Sequence, residues 1–252
     1  MTPKTAMQEV LAQVESATGY PVTVQDDPTL PGLATVKAAN SSMPFTLLRI
    51  RPDTGGSREY TVCYQCGFVL RQAMLQPGDR WEIAAGQKGR MELDRIVRKS
   101  AAGKLGQAAR TAFVENMLGG LIVQLRSVPI GLRIDQWIRN NFSVLENQQR
   151  ESNERQLDEN IGVLSPGIRR MAPEPVYLAS AAMNAALAVY WATEWGDNTK
   201  ATPYKVSGFT DAGNALLQRF GELAAEPEFD RPLIESWAAE LGISGWYEFI
   251  AR

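Results

Sequence analysis

The sequence predicts an α+β fold: a small N-terminal β-hairpin or sheet packed on one motif helix, followed by a mainly helical C-terminal part. Three observations lead there. Short runs of branched residues, bounded by Pro, Gly and Asn, cluster ahead of residue 52. From about Met91 onward the apolar residues recur mostly at helical spacing. Residues 176–192, VYLASAAMNAALAVYWA, form a 17-residue uncharged run rich in alanine.

Taken in order, residues 5–18 carry Val10, Leu11, Val14 and Ala17 at helical spacing, with Gly19 as a stop signal. Residues 21–24 and 33–38 read as short strands, separated by a loop of Asp26, Asp27, Pro28, Pro31 and Gly32. Residues 45–51, FTLLRIR, make the clearest strand. A helix is expected from near Ser57, with its apolar residues inward, until Pro77-Gly78-Asp79. Helical periodicity over 91–125 is expected to be interrupted near Gly119-Gly120 and stopped by Pro129. Residues 142–158 are strongly polar and read as a solvated helix or surface loop, because no apolar stripe accompanies them. The run at 176–192 is short for a bilayer span and contains Ser180 and Asn184, which favours a buried helix. Helices over 209–225 and 232–241 follow, the last capped by Gly242. The tail carries Trp246, Tyr247 and Phe249, too aromatic to stay in water. Two domains are expected, 1–128 and 129–252, packed as one unit.

Composition narrows the chemistry. The 252 residues are 44% hydrophobic, enough for a sizeable core. The formal net charge of −2 offers no general attraction to nucleic acid or anionic lipid. The chain contains no histidine, which excludes Ser-His-Asp and Cys-His nucleophiles and imidazole zinc sites. No phosphate-binding glycine motif occurs; Gly103-Lys104 is followed by leucine. Two cysteines three apart point to a reducing compartment rather than a disulfide framework. The N-terminus has no continuous apolar segment of the signal-peptide kind, and a cytoplasmic location is expected.

Cys63-Tyr64-Gln65-Cys66 is the one thiol pair. Redox chemistry needs the first thiol at a helix N-terminus, and Cys63 is expected a turn or more inside. Zinc needs two further ligands. Packing of two small apolar side chains is the reading that asks for nothing more. Acidic neighbours such as Glu92/Asp94 and Glu222/Glu226 read as solvated charge.

The order helix, short strands, strand and then a helix reading Thr61-Val62-Cys63-Tyr64-Gln65-Cys66-Gly67-Phe68-Val69-Leu70 resembles the IrrE/ImmA-like metallopeptidases of bacteria. There the helix carries a His-Glu-x-x-His motif whose histidines hold zinc and whose glutamate activates water. Matched along this helix, the first His position is Tyr64, the Glu position Gln65 and the second His position Phe68. Gly67 and the flanking Thr61, Val62, Val69 and Leu70 fit the pattern, and the three chemical positions depart from it. The resemblance covers about residues 5–75.

It implies a pseudo-peptidase with no catalytic residue, no metal and no cofactor. Such a protein would act as a regulatory or scaffolding partner of another protein in a bacterial stress-response or phage-conflict system. Residues 146–160 or the aromatic tail are candidates for the contact surface, and the sequence does not choose between them. The competing readings are an enzyme using acidic residues or the Cys63/Cys66 thiols, and a structural component of a phage-like assembly.

Overall fold

The computed structural model describes all 252 residues, apart from the side chain of Ala101. In chain order the elements are α1 (Pro3–Thr18), β1 (Val22–Asp26), β2 (Ala34–Lys37), β3 (Thr46–Ile50), α2 (Arg58–Ala73), β4 (Trp81–Ala85), α3 (Gln87–Arg98), α4 (Gln107–Asn141), α5 (Glu146–Asn160), α6 (Pro166–Met171), α7 (Glu174–Trp195), α8 (Thr202–Val206), α9 (Thr210–Glu222), α10 (Asp230–Glu240) and β5 (Tyr247–Ala251). The fold is α+β, with a small sheet near the N-terminus and a mostly helical remainder. The chain forms two compact units, Met1–Arg80 with Ile130–Arg155, and Trp81–Pro129 with Gln156–Arg252. They are interleaved along the chain, so neither coincides with a segment 1–128 or 129–252.

In the first unit, Thr2 caps α1 by accepting from the Thr5 amide at 3.2 Å, and Pro3 stands in the first turn, where no N–H is needed. Ala6, Val10 and Val14 form its buried stripe. Gly19 ends it at φ 73°, a left-handed conformation that glycine adopts without a Cβ penalty. The sheet has the order β1-β3-β2, with β1 parallel and β2 antiparallel to β3. Central β3 buries Thr46, Leu48 and Ile50 on one face, the alternation a half-covered strand requires. Helix α2 packs against α1, β2 and β3.

In the second unit, α7 is buried almost all round and packs on α9. Its alanines permit close approach: a Cβ on Gly213 of α9 would lie 2.9 Å from the Ala185 carbonyl carbon. Gly196 closes α7 at φ 66°. By length and composition α4 and α7 are apolar enough to cross a membrane, yet 61% and 78% of those windows are buried inside the protein. They are core helices, as the sequence suggested for 176–192.

Some local details differ from the expectations. Helix α4 runs through both Gly119-Gly120 and Pro129; the helical break falls instead between α3 and α4, around residues 99–106. An internal proline costs about 3 kcal/mol, and buried Leu121, Ile122, Leu125, Ile130, Leu132 and Ile134 on either side of it outweigh that. Residues 81–85, to which the sequence assigned no element, form a strand, and the aromatic tail is its antiparallel partner. Trp81 and Phe249 meet at 4.9 Å between ring centroids, and Trp246 is buried, so the tail's aromatic surface is used within this unit. Finally, α5 is not a wholly solvated helix. Gln149, Ser152, Asn153 and Leu157 are buried, giving it a polar inner face bounded by leucine.

Candidate functional site

The residues singled out in the sequence lie on α2, in the first unit. A 3-10 turn, Gly55–Ser57, delivers the chain into this helix, with Gly55 at φ 64°. Ser57 makes no side-chain cap; its hydroxyl donates to the Thr54 carbonyl at 2.7 Å. The missing cap comes from α5. The Tyr60 amide donates to Oε1 of Gln148 at 3.0 Å, while Nε2 of Gln148 donates to Oε2 of Glu59 at 2.9 Å. This is a capping box built from another helix, satisfying an amide that would otherwise be orphaned.

Tyr60, Tyr64 and Phe68 recur every four residues and line one face of α2. Ring centroids are 5.8 Å apart for Tyr60 and Tyr64, and 5.4 Å for Tyr64 and Phe68, the latter pair edge to face at 82°. Phe68 is buried, and Tyr64 and Gln65 are half-buried. Tyr64 and Phe68 therefore share a face, as residues four apart on a helix do. The end of the Tyr64 ring rests against Gly131 of α4, where any side chain would collide with the tyrosine hydroxyl. One turn along, Gly67 meets Ile134, whose Cγ2 would lie 2.5 Å from an added Cβ. Each helix thus presents a glycine to the other's bulky side chain.

Cys63 and Cys66 are completely buried. Burial pushes the Cys66 thiol up to about 12. Cys63 is raised as well, by burial first and then by the neighbouring Cys66 and Glu59. Burial, by disfavouring the thiolate, works against either sulfur as a nucleophile. Among the described residues no group of three or more His, Cys, Asp or Glu is placed to hold a metal ion. The acidic neighbours noted in the sequence make surface interactions: Asp94 pairs with Arg98 at 2.6 Å and Arg110 at 3.1 Å, Glu222 with Arg219 at 3.0 Å, and Glu92 accepts from Trp246 Nε1 at 3.2 Å.

Beside the aromatic face lies a cluster that sequence reasoning missed. Asp135 of α4 is 2% exposed. Its Oδ1 accepts from the Tyr60 hydroxyl at 2.6 Å and from Gln149 Nε2 at 2.8 Å. Gln149 also donates to the Asp135 carbonyl at 3.0 Å. Asn153 Nδ2 donates to the Tyr60 hydroxyl oxygen at 3.2 Å and to the Gln149 carbonyl at 3.0 Å. Burial pushes the Asp135 carboxyl up to about 6, against the opposing pull of the Tyr60, Gln149 and Asn153 hydrogen bonds and the Arg139 charge. The Tyr60 phenol is raised too, by burial and then by the adjacent carboxylate. Two signals could have revealed the cluster. Asp135 stands three residues from both Leu132 and Ile138, on a face that must be inside. Leu145 and Leu157 bracket Gln149 and Asn153 at four-residue spacing, marking an inward stripe within the polar run.

Chemically, the face of α2 carries three packed rings, and the one perturbed carboxylate beside it accepts from neutral donors. Comparison with known proteins finds no matching family model, no matching curated protein and no matching solved structure.

Proposed function

We propose that this chain is a catalytically inactive, metallopeptidase-like protein that works in the bacterial cytoplasm by binding another protein, as a regulatory or scaffolding subunit in a stress-response or phage-conflict system. The observation that carries the reading is the edge-to-face pair of Tyr64 and Phe68, on the two positions where the resembled peptidases place their zinc histidines. Aromatic rings there replace a polar cavity with packing, which removes the cost of buried ligands without a metal. Gln65 keeps the outline of the general base without its proton chemistry. Neutral, buried thiols in the same helix add support, because they withdraw the other nucleophile from use.

The test combines elemental analysis of the purified protein with a peptide-hydrolysis assay in added zinc. The expected result is no stoichiometric zinc and no hydrolysis that a chelator abolishes. A zinc content near one per chain, with chelator-sensitive turnover, would overturn the proposal. The binding half is tested separately, by co-purification of the tagged chain with the products of neighbouring genes. If those products never co-purify while the chain is recovered in fixed copy number in purified phage-like particles, the regulatory role is wrong and a structural one replaces it.

A further inference from the structure

The first ten residues of α5, up to Arg155, belong to the first unit, and their inner face is polar. The hydrogen bonds described above tie it to α2 and α4 through Gln148, Gln149 and Asn153. Glu151 adds a longer contact, accepting from the Gly56 amide at 3.4 Å, and pairs with Arg155 at 3.2 Å. At the centre is Asp135, a buried carboxylate whose hydrogen bonds come from neutral side chains. The groups facing it are Tyr60 and, behind it, Tyr64 from α2; Gln149 and Asn153 from α5; and Arg139 on its own helix, whose charge bears on it. Burying such a charge is costly unless a counter-ion is hydrogen-bonded to it, whereas a protonated carboxyl is tolerated.

We propose that Asp135 is a proton-operated latch for the N-terminal part of α5: the helix is held when the carboxyl is protonated and loosens as it ionises. The sign follows from linkage. The folded carboxyl is raised to about 6, above its ordinary 3.8, so the closed state binds the proton more tightly than an opened state in which Asp135 meets water. Opening therefore becomes easier as pH rises through the weakly acid range. The chain has no histidine, so no imidazole titrates in the same interval to mask or mimic the effect. The latch is independent of the peptidase resemblance.

Hydrogen exchange of the full chain, read by mass spectrometry at about pH 5 and about pH 7.5 and corrected for intrinsic chemical rates, tests the latch. Protection of the peptide covering 146–155 is expected to fall about tenfold between the two, while peptides from α1 and α7 keep theirs. Asp135→Asn should erase the difference. Tyr60→Phe removes a donor to the carboxylate and should move the midpoint to higher pH, which serves as the test if the first variant does not fold. Equal protection at both pH values would overturn the proposal. So would pH dependence that survives Asp135→Asn, an unmoved midpoint in Tyr60→Phe, or a parallel loss across α1 and α7.

Discussion

Gly67→Ala adds one methyl group at the crossing of α2 and α4. The new Cβ would stand 2.5 Å from Cγ2 of Ile134, 3.0 Å from Cγ1 and 3.2 Å from Cδ1. Carbon atoms pack at about 3.5–4.0 Å, so all three contacts are too short, the first by about 1 Å. Ile134 is 1% exposed and branched at Cβ, so it has no solvent to swing into and few alternative rotamers. Overpacking of this kind costs about 1–3 kcal/mol. Alanine's better helix propensity returns about 1 kcal/mol. A net loss of about 0–2 kcal/mol is expected, lowering the melting midpoint by up to about 8 °C for a chain of this size. The mechanism is isolated by adding Ile134→Ala. Alone that change leaves a cavity and costs about 2–5 kcal/mol; combined with Gly67→Ala, the new methyl fills part of the hole. The double variant should be more stable than the sum of the two losses by about 1–3 kcal/mol. Thermal melting followed by circular dichroism on all four proteins reads the cycle. If Gly67→Ala is more stable than the parent, or the two changes are simply additive, the close contact with Ile134 is not what this glycine is for.

The contrasting case is Gly120 of α4, where an added Cβ meets nothing within 4 Å and the residue is exposed. Gly120→Ala should stabilise by about 0.5–1 kcal/mol in the same melts, and destabilisation would mean that the position is not open. Phe68→Ala should cost about 3–5 kcal/mol by emptying the edge-to-face site, and an unchanged midpoint would put the ring in solvent. Cys63 and Cys66 should resist a thiol reagent in the native protein and react at once in denaturant, and rapid native labelling would refute their burial. Replacing both by serine should cost about 1–3 kcal/mol, because the hydroxyls would enter an apolar site, and leave partner binding intact in the folded variant.

What could be read from the sequence was what local sterics decide. Gly19 and Gly242 end helices because each takes a positive φ that few other residues tolerate, and that preference needs no tertiary knowledge. The alternating run of β3 was legible for the same reason. Pro129 misled because its local cost is fixed while the compensating burial along α4 comes from elsewhere in the fold. Strands β4 and β5 were hidden because Trp81 finds its partner at Ala251, across nearly the whole intervening sequence. At the site, the face shared by Tyr64 and Phe68 follows from helical geometry alone. The Asp135 cluster depends on three helices meeting, and the polar composition of 146–155 disguised its inward face.

The sheet of the first unit has a consequence for how the chain is made. β1 and β2 are its two edges, and each is hydrogen-bonded only to β3, the last of the three to be synthesised. Up to residue 45 a growing chain holds two strands with nothing in this sheet to pair with. The N-terminal helix can form as it emerges, but the sheet cannot grow strand by strand; it waits for residues 46–50 and then assembles around them. Until that point both strands carry unpaired backbone edges. A chain that has emerged from the ribosome only as far as residue 45 would display them, whereas one that has emerged past residue 73 presents β3 in place and the helix that covers it already complete.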